Sequence, residues 1–461
     1  MKSICNNIKK SARGKTIYPV IAAAFLTVAV SSAHANGFTL NEQSASGLGN
    51  AFAGGGAIAE DAGAVFFNPA GMTYLPDSEL VIAAHAILSS AKFNNNGSQN
   101  FGGLPTQGGN GGDAGGWAFV PNLYFVKALN DKIRFGIGIN APFALDNNYD
   151  KDWVGRYQAL KSELKTININ PSMAFKVNDR ISLGLGFSAM RAEAEISNAV
   201  DFGTICATAL GGCGMGATVQ KNDGFARVTG DDWGFGWNAG AIFQITPATR
   251  LSLAYRSTVH QKLKGDANFD GVPAAFALSP ALAAGFANGS VSAKLTTPDS
   301  ASASIFHQVN RQWDVMADLT WTHWSTFRDL TVIRASGILA GRTLSSAPEN
   351  WDNTVRAALG ASYRYNDALK LRAGLAYDQS PVSLDFRTPR TPNSGRFWLS
   401  LGANYRFTPT SSMDIGYTHI FANDASLNKT TDTSLPSLRD TVKGGYDSNV
   451  NIIGVQFTHA F

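Results

Sequence analysis

The sequence predicts an all-β protein, a 14-stranded antiparallel transmembrane β-barrel with an N-terminal plug in its lumen. Three observations lead to this prediction. Segments of about ten residues alternate apolar and polar side chains, a pattern typical of strands that cross an outer membrane. Short and long connections alternate between these segments. Only 16% of the 461 residues are charged, against about a quarter in a typical soluble protein.

The first 35 residues have the three parts of a secretory signal peptide. Five basic residues precede the apolar stretch YPVIAAAFLTVAV, which is followed by the small residues SSAHA. This stretch is too short to span a bilayer, since a transmembrane helix needs about 20 residues. We therefore expect residues 1–35 to be removed and the mature chain to begin near Asn36. The alternative is an amphipathic or membrane-anchoring helix.

Removal of this segment changes the charge of the chain. Residues 1–35 contain five Lys or Arg and no acid, so 38 basic and 34 acidic residues become 33 and 34. The basic character of the full sequence therefore belongs to the signal peptide. Nucleic acid is not an expected partner, because binding it requires a basic patch. No nucleotide cofactor is expected either, because the chain lacks a GxxxxGK[ST] motif.

Two cysteines remain in the mature chain, Cys206 and Cys213, within the stretch CATALGGC. In an oxidising compartment they can close a small loop as a disulfide, and two free thiols are the alternative. A zinc site is not expected, because neither cysteine has another Cys or a His nearby at ligand spacing.

Residues 36–77 precede the first strand and fit neither a helical nor a strand period. They are rich in small residues, carry Phe66 and Phe67, and bend at Pro69. Fourteen strands enclose a lumen wider than side chains alone can fill, because eight strands already give a filled interior. We therefore predict that residues 36–77 fold into the lumen as a plug. A periplasmic linker is the alternative, although linkers are usually polar and poor in aromatic residues.

Residues 78–461 form the predicted barrel. In RFWLSLGANYRF, Phe397, Leu399 and Leu401 share an apolar face, whereas Arg396 and Ser400 lie on the other. Such segments predict fourteen strands, at 78–93, 115–128, 131–141, 160–177, 180–198, 232–246, 249–266, 290–309, 313–327, 352–366, 369–384, 394–408, 410–424 and 446–461. Closure is required, because each unpaired backbone group in hydrocarbon costs several kcal/mol.

Several long segments resemble one family of membrane proteins. NGFTLNEQSASGLGNAFAGGGAIAEDAGAVFFNPAGM, YRSTVHQKLKG and RFWLSLGANYRF are similar to the FadL/TodX (OmpP1) family of outer-membrane transporters for long-chain fatty acids and other hydrophobic compounds. The similarity covers essentially the whole mature chain. It implies a monomer in the bacterial outer membrane, surrounded by lipid and lipopolysaccharide, without a cofactor and without enzymatic activity.

The resemblance also implies roles for residues of the plug. The start of the family's hatch, which approaches an internal ligand, matches Asn36, Gly37 and Phe38. The family's NPA motif corresponds to Asn68, Pro69 and Ala70.

The family's extracellular groove corresponds to the loops 199–231 and 267–289. The second loop carries Phe269, Phe276, Leu282 and Phe286. Exposed apolar patches usually mark binding sites, and the alternative is a buried loop that packs onto the barrel rim.

The family's lateral opening at a kinked third strand corresponds to Gly136, Gly138 and Pro142. Glycine weakens a strand ladder and proline removes a donor. Gly136 and Gly138 as ordinary strand glycines are the alternative.

The predicted function is passive uptake of a hydrophobic compound, and a carboxylate on that compound requires a cation. Arg156 resembles a family position near the internal site, and the alternation places Arg356, Arg372 and Arg396 in the lumen. The alternative is that these arginines pair with acids such as Asp378 and Asp385 to stiffen the barrel.

Long-chain fatty acids are the leading substrate class, with aromatic hydrocarbons or alkanes as the alternative. Two other functional classes remain, a general porin and an outer-membrane lipase. A porin needs no apolar plug. A lipase needs a serine within reach of a histidine and an orienting group, and no serine motif accompanies the strand histidines His260, His307, His323 and His419.

Overall fold

The computed structural model describes residues 37–211, 219–431 and 439–461. The predicted signal peptide, Asn36 and Cys213 lie outside these ranges. Within them, no helix is long and apolar enough to cross a membrane.

Twenty β-segments form one antiparallel sheet that closes on itself, because residues 79–95 of the first segment pair with residues 444–460 of the last. The segments are β1 (Ser78–Asn95), β2 (Trp117–Ala128), β3 (Ile133–Asn140), β4 (Ala144–Asn148), β5 (Lys161–Lys176), β6 (Ile181–Asp201), β7 (Asp223–Thr246), β8 (Thr249–Arg256), β9 (Val259–Asp270), β10 (Gly289–Thr297), β11 (Ser300–Gln308), β12 (Trp313–Thr322), β13 (Asp329–Arg334), β14 (Thr343–Pro348), β15 (Thr354–Arg364), β16 (Leu369–Asp378), β17 (Arg396–Thr408), β18 (Ser411–Ala422), β19 (Ala425–Thr430) and β20 (Thr441–Ala460).

Six barrel strands are interrupted and therefore consist of two segments each. The pairs are β3 with β4, β8 with β9, β10 with β11, β12 with β13, β14 with β15, and β18 with β19. The twenty segments thus make fourteen strands, and the predicted closed 14-stranded barrel is confirmed. Along β17, Phe397, Leu399 and Leu401 are exposed while Trp398 and Ser400 are buried. Apolar side chains therefore face outward, toward lipid.

The short turns are built in the same way at four places. In each turn an asparagine side-chain oxygen accepts hydrogen bonds from the backbone N–H groups two or three residues further on. The four residues are Asn130, Asn178, Asn310 and Asn366. Asparagine favours turns because its side chain can replace a backbone partner in this way.

The strand boundaries differ from the prediction mainly at the end of the long loops. The strand predicted at 232–246 begins at Asp223, and β13 and β14 lie in a segment predicted to be a loop. Beside polar side chains that pair between strands, these extensions carry apolar side chains such as Val228 and Val332, which pack together in one cluster. Among the polar pairs, Arg227 of β7 forms an ion pair with Glu195 of β6 at 2.6 Å. In β13, each face mixes polar and apolar residues, so no alternation with a period of two marks it in the sequence.

Residues 37–75 lie against the inner face of the barrel and are called here the N-terminal segment. It contains α1 (Ala45–Leu48), α2 (Gly55–Ile58), α3 (Ala64–Phe67) and a 3-10 helix (Pro69–Tyr74). Helix α1 contacts β17, β18 and β20, α2 contacts β8 and β11, and the 3-10 helix contacts β5, β6 and β7. The segment therefore touches strands on several sides of the lumen. Two further helices, α4 (Phe202–Ala209) and α5 (Pro280–Gly285), lie in the long loops.

Two asparagines clamp the N-terminal segment to the wall. Asn68 Nδ2 donates to the carbonyl oxygens of Ala241 and Leu253 at 3.2 and 3.4 Å, and these two residues lie directly opposite each other on β7 and β8. In the same manner, Asn50 Nδ2 donates to the carbonyl oxygens of Ala361 and Ala373, which lie opposite each other on β15 and β16. Asn68 Oδ1 also accepts from the N–H of Ala70 at 3.0 Å, so it caps the 3-10 helix that Pro69 begins.

Glycines in the wall make this close approach possible. A Cβ atom on Gly374 would overlap with the backbone carbonyl of Asn50, and one on Gly184 would overlap with the backbone of Pro69 and Ala70. Any other residue at these positions would push the segment off the wall.

Glu60 ties the same segment to the barrel electrostatically. Its two carboxylate oxygens each lie 2.6 Å from a cation, Arg372 Nη2 and Lys370 Nζ of β16. Arg372 continues the network to Asp414 of β18 at 2.9 Å. The acid therefore anchors the N-terminal segment near the short-turn end of the barrel.

We expect Gly374→Ala to loosen the N-terminal segment without opening the barrel. The added methyl group overlaps with backbone, so relief requires a shift of Asn50 and loss of its clamp, at a cost of about 1–3 kcal/mol. Limited proteolysis of the segment, with heat-modifiable gel mobility as the check on barrel closure, measures this effect. Gly285→Ala is the matched control, because a Cβ atom there meets no other atom within 4 Å. Equal proteolysis of the two variants would contradict the prediction.

Candidate functional site

The side chain of Phe38 sits in a box of four aromatic side chains. Its ring centroid lies 4.6 Å from that of Trp324, 5.5 Å from Phe327, 5.6 Å from Trp351 and 5.9 Å from Phe143. Three of these contacts are edge-to-face, an arrangement that aromatic rings prefer. Phe38 is only 3% exposed, so the box is closed around it.

Aliphatic residues extend the box into a larger apolar cluster, called here the Phe38 chamber. Its members come from barrel strands, loops and one residue of the N-terminal segment, Phe38. The further buried members are Leu164, Met190, Ala192, Val259, Leu263, Leu295 and Val382. A chamber of this composition suits a ligand with a long apolar portion, because burial stabilises by about 0.8 kcal/mol per CH2 group. In the structure, Phe38 occupies the centre of this cluster.

The residue before Phe38 is held from two sides. Gly37 has a φ of +60°, and a Cβ atom there would overlap with the indole ring of Trp324. Its carbonyl oxygen accepts from Asn393 Nδ2 at 3.1 Å. Glycine is thus required at this position both by the backbone conformation and by the close packing.

The third barrel strand is broken at residues 141–143, and the N-terminal segment pairs with it there. The N–H of Leu40 donates to the carbonyl of Pro142 at 2.9 Å, and the N–H of Ala144 donates to the carbonyl of Phe38 at 2.8 Å. The start of the N-terminal segment therefore acts as a short additional strand against the break.

Gln43 reinforces this pairing. Its side chain is fully buried, and its Nε2 atom donates to the carbonyl oxygens of Leu40 and Ala141 at 3.0 Å each. One amide thus joins the N-terminal segment to the residue at which the third strand breaks. The sequence analysis missed Gln43, because a glutamine in a stretch without periodicity carries no signal of burial.

The break leaves a gap in the barrel wall. Segment β3 pairs with β2 only at residues 123–128, and β4 pairs with β5 alone among the described strands. Residues 117–122 of β2 therefore have a strand partner only on the β1 side within the described ranges. The wall is closed on one side of this stretch by the pairing of β2 with β3. On the other side it is closed by the N–H of Asn148, which donates to the carbonyl of Ala114 at 3.1 Å. We call the opening between these two closures the lateral gap.

Of the three predicted gate residues, only Pro142 lies at the break. Gly136 and Gly138 lie within continuous pairing of β3 with both neighbours. A Cβ atom on Gly136 would overlap with Met72 of the N-terminal segment, and one on Gly138 would lie 3.0 Å from Tyr124. The two glycines therefore make room for neighbouring side chains.

Arg156 belongs to a polar cluster in the long loops and is not part of the Phe38 chamber. Its Nε atom lies 2.7 Å from Asp223 Oδ2, and its Nη2 atom donates to the hydroxyl of Tyr157 at 2.7 Å. Burial and the nearby Asp201 raise the pKa of Asp440 in the same cluster to about 7. The charge of Arg156 is thus compensated by acids of the loops.

The four predicted groove residues come together in an apolar cluster of the long loops, called here the loop cluster. Phe276 is 1% exposed, whereas Leu282 and Phe286 are only partly buried. Phe269 is also partly buried and joins the cluster through its ring, 5.5 Å from that of Phe286. The ring of Phe202 in α4 lies 5.4 Å from Phe276 and 5.2 Å from Phe286. The cluster therefore has a buried centre and a partly open margin.

Cys206 packs into the loop cluster and is disulfide-bonded. Cys213, the predicted partner, lies outside the described ranges. Among the residues that the structure describes, no group of three or more His, Cys, Asp or Glu side chains is placed to hold a metal ion.

The three lumen arginines of the sequence analysis are buried and contact the interior. Arg356 Nη2 donates to the carbonyl of Ala51 at 2.8 Å, Arg372 pairs with Glu60, and Arg396 Nη2 donates to Asn393 Oδ1 at 2.7 Å. These arginines hold the N-terminal segment and the loop beside it.

An internal cavity of about 130 Å³ adjoins the break and the Phe38 chamber. Pro142 and Phe143 line one side, Pro69 of the NPA motif another, and Arg256 of β8 lies on the barrel wall. Arg256 lies in the stretch YRSTVHQKLKG and was not among the predicted site residues. Its signal is the alternation of LSLAYR, in which Leu251 and Leu253 face lipid and Arg256 therefore faces inward.

Comparisons with known proteins place this chain in a family. Residues 26–461 match the model of the outer membrane transport proteins OMPP1/FadL/TodX. The chain is 33% identical over 437 residues to the long-chain fatty acid transport protein of Escherichia coli K12, covering 90% of this chain and 94% of that protein. A Pseudomonas aeruginosa FadL homologue has a TM-score of 0.84 and 30% identity, covering 92% and 99%. The Ralstonia pickettii toluene transporter TbuX shares the fold, with a TM-score of 0.64, 21% identity and coverage of 92% and 99%. The chain therefore belongs to the OMPP1/FadL/TodX family of bacterial outer membrane proteins.

Proposed function

We propose that this protein takes up long-chain fatty acids through the outer membrane by passive diffusion. The observation that carries the proposal is the Phe38 chamber, a closed apolar site inside a membrane barrel that is filled by a residue of the chain itself. The E. coli relative, 33% identical, is named as a long-chain fatty acid transport protein. We further propose, as the family resemblance implies, that the protein acts as a monomer surrounded by lipid and lipopolysaccharide.

Uptake begins at the loop cluster. The partly open side chains Phe269, Leu282 and Phe286 offer an apolar surface at the end of the long loops. A fatty acid that leaves water for this surface gains about 0.8 kcal/mol per buried CH2 group. The Phe38 chamber offers the same environment deeper in the barrel, so the cargo passes between sites of similar character.

Occupation of the chamber displaces Phe38, because ring and ligand compete for one space. The backbone of the displaced residue and of Leu40 pairs with the break in the third strand. Displacement therefore removes hydrogen bonds from the edge of the lateral gap. Each of these hydrogen bonds contributes about 0.5–1.5 kcal/mol net. The burial of one or two methylene groups of the ligand offsets the loss of one such bond.

The lateral gap then provides the way out. Trp117 and Phe119 of β2 stand on its lipid side, 57% and 50% exposed, with ring centroids 6.4 Å apart. Ala118 and Val120, on the same stretch, face the interior. An apolar ligand can thus move sideways into the bilayer without crossing water, and the concentration gradient alone drives it.

Aromatic hydrocarbons or alkanes are the second candidate substrates, used by the same route. Four aromatic rings surround Phe38, and an aromatic or alkyl ligand without a head group would find apolar contact in the same chamber. The shared fold with the toluene transporter TbuX is consistent with this alternative but does not argue for it, because the identity is only 21%.

We predict that Phe38→Ala reduces uptake of labelled oleate while the barrel remains folded. Without the ring, an arriving ligand no longer pushes the N-terminal segment away from the break. The measurement is uptake of labelled oleate and of toluene by cells that lack their own transporter, with heat-modifiable mobility as the folding check. Phe101→Ala is the control, because this loop phenylalanine is 41% exposed. Unchanged uptake of both compounds would remove the proposed role of Phe38.

We predict that Gln43→Leu loosens the pairing between the N-terminal segment and the break. The variant keeps the volume but loses both hydrogen bonds, so the backbone amides of Leu40 and Ala144 should exchange about tenfold faster with solvent deuterium, as a loss of about 1.4 kcal/mol requires. Hydrogen exchange with mass spectrometry on the reconstituted protein measures this.

The matched control for this variant is Gln158→Leu. Gln158 Nε2 also donates to two backbone carbonyls, those of Lys429 and Asp440, but in the long loops. Exchange at the break that is identical in the two variants would show that Gln43 does not hold it.

A further inference from the structure

The side chain of Arg256 faces the cavity beside the break and uses few of its donors. Its Nη2 atom donates to the carbonyl of Phe66 at 2.9 Å, and its Nη1 atom lies 3.5 Å from the hydroxyl of Ser188. The guanidinium carbon lies 4.2 Å from the centre of the Phe66 ring. A guanidinium has five N–H donors, so most of them remain available toward the cavity that Arg256 lines.

Arg256 also lacks a counter-ion. Within the part of the chain that the structure describes, no carboxylate forms an ion pair with it, whereas Arg156, Arg364 and Arg372 each contact a carboxylate at 2.6–2.9 Å. A charge removed from water is costly unless it is paired and hydrogen-bonded. An anion that entered the cavity would remove this cost.

The second arginine of the cavity, Arg356, differs in this respect. It lies directly opposite Asp378 in the pairing of β15 with β16. Asp318 lines the same cavity, and its carboxylate accepts hydrogen bonds from Ser304 and Thr320. Acids are thus placed around Arg356, and the uncompensated positive charge of the cavity is that of Arg256.

We propose that Arg256 binds the carboxylate of the cargo, which makes the cavity a head-group subsite for fatty acids. This inference rests on the proposed function and names the substrate class, a long-chain carboxylate, that the route favours over a neutral hydrocarbon. Arginine suits the role because its planar fork offers two parallel N–H donors to a carboxylate.

The dimensions of the cavity fix how such a ligand lies. About 130 Å³ accommodates a carboxylate and a few methylene groups, since an apolar cavity of roughly 150 Å³ holds one benzene. The remainder of the acyl chain requires other space. Phe143 lines the cavity and also contacts Phe38. The chain therefore extends along Phe143 into the space that Phe38 vacates, with its carboxylate at Arg256.

The test compares two ligands that differ only in the head group, oleate and oleyl alcohol. The full-length barrel is reconstituted in phosphatidylcholine discs, so that the added ligand is the only long-chain carboxylate present. For Arg256→Met, the Kd for oleate should rise about tenfold or more, as the loss of a charged hydrogen-bond donor predicts, while the Kd for oleyl alcohol stays unchanged. Arg256→Lys, which keeps the charge, should recover most of the oleate affinity.

Arg311→Met, at an exposed arginine, is the control, and heat-modifiable mobility verifies folding of each variant. If Arg256→Met weakened the binding of oleate and of oleyl alcohol equally, the inference would be overturned, and the role of Arg256 would be to hold Phe66 in place. Unchanged oleate affinity in that variant would overturn it as well. Failure of the unaltered protein to bind either ligand would instead refute the proposed function, so the two failures are distinguishable.

Discussion

Backbone hydrogen bonding in hydrocarbon is the constraint on which the rest of this structure depends. Each N–H or C=O group that is left unpaired in the bilayer costs several kcal/mol, so a membrane-spanning sheet must close. The pairing of β1 with β20 meets this demand. Residues 117–122 of β2 lack a strand partner on one side within the described ranges, and across this gap the N-terminal segment pairs with the break in the third strand. The break in the wall and the position of Phe38 are therefore two parts of one arrangement.

The N-terminal segment is held unequally along its length. Toward its later residues, Asn68 clamps two wall carbonyls, and Glu60 contacts two cations at 2.6 Å. Its first residues are held by aromatic contacts, a few backbone hydrogen bonds and Gln43. Arg372 is buried, and removing the carboxylate partner of a buried cation is costly, whereas apolar contacts can be exchanged for those of a ligand at little cost. The start of the segment is therefore the part that our proposal has an apolar cargo displace.

The barrel could be predicted well from the sequence, because the lipid around it determines which residue types its outer face carries. Lipid requires an apolar side chain at every second position of a strand, and Phe397, Leu399 and Leu401 show this in the sequence as in the structure. Beyond the lipid, β13 and the start of β7 have no such requirement, and the predicted boundaries were wrong there. The closed fold was thus predictable, and the extent of the strands outside the membrane was not.

The site was predictable only in part, for a related reason. Phe38 was identified through a family resemblance, and the four rings around it come from residues that are distant in sequence, such as Phe143 and Trp351. No local pattern brings them together. For Arg156 the fold adds what the sequence could not show. Its residue type suits a carboxylate, but its neighbour Asp223 already supplies one. Whether an arginine is available to a ligand depends on acids that the fold, rather than the sequence, places beside it.

An amphiphilic cargo makes two physical demands on a passive route. Its acyl chain needs apolar contact throughout, since any watery stretch would cost about 0.8 kcal/mol per exposed CH2 group. Its carboxylate needs a partner, because a bare charge in an apolar interior is costly. If the cation already forms an ion pair with an acidic side chain, binding the carboxylate of the cargo only replaces one ion pair by another, with little net gain in free energy. A cation such as Arg256, which lies at the cavity without a counter-ion among the described residues, meets the second demand at a single place.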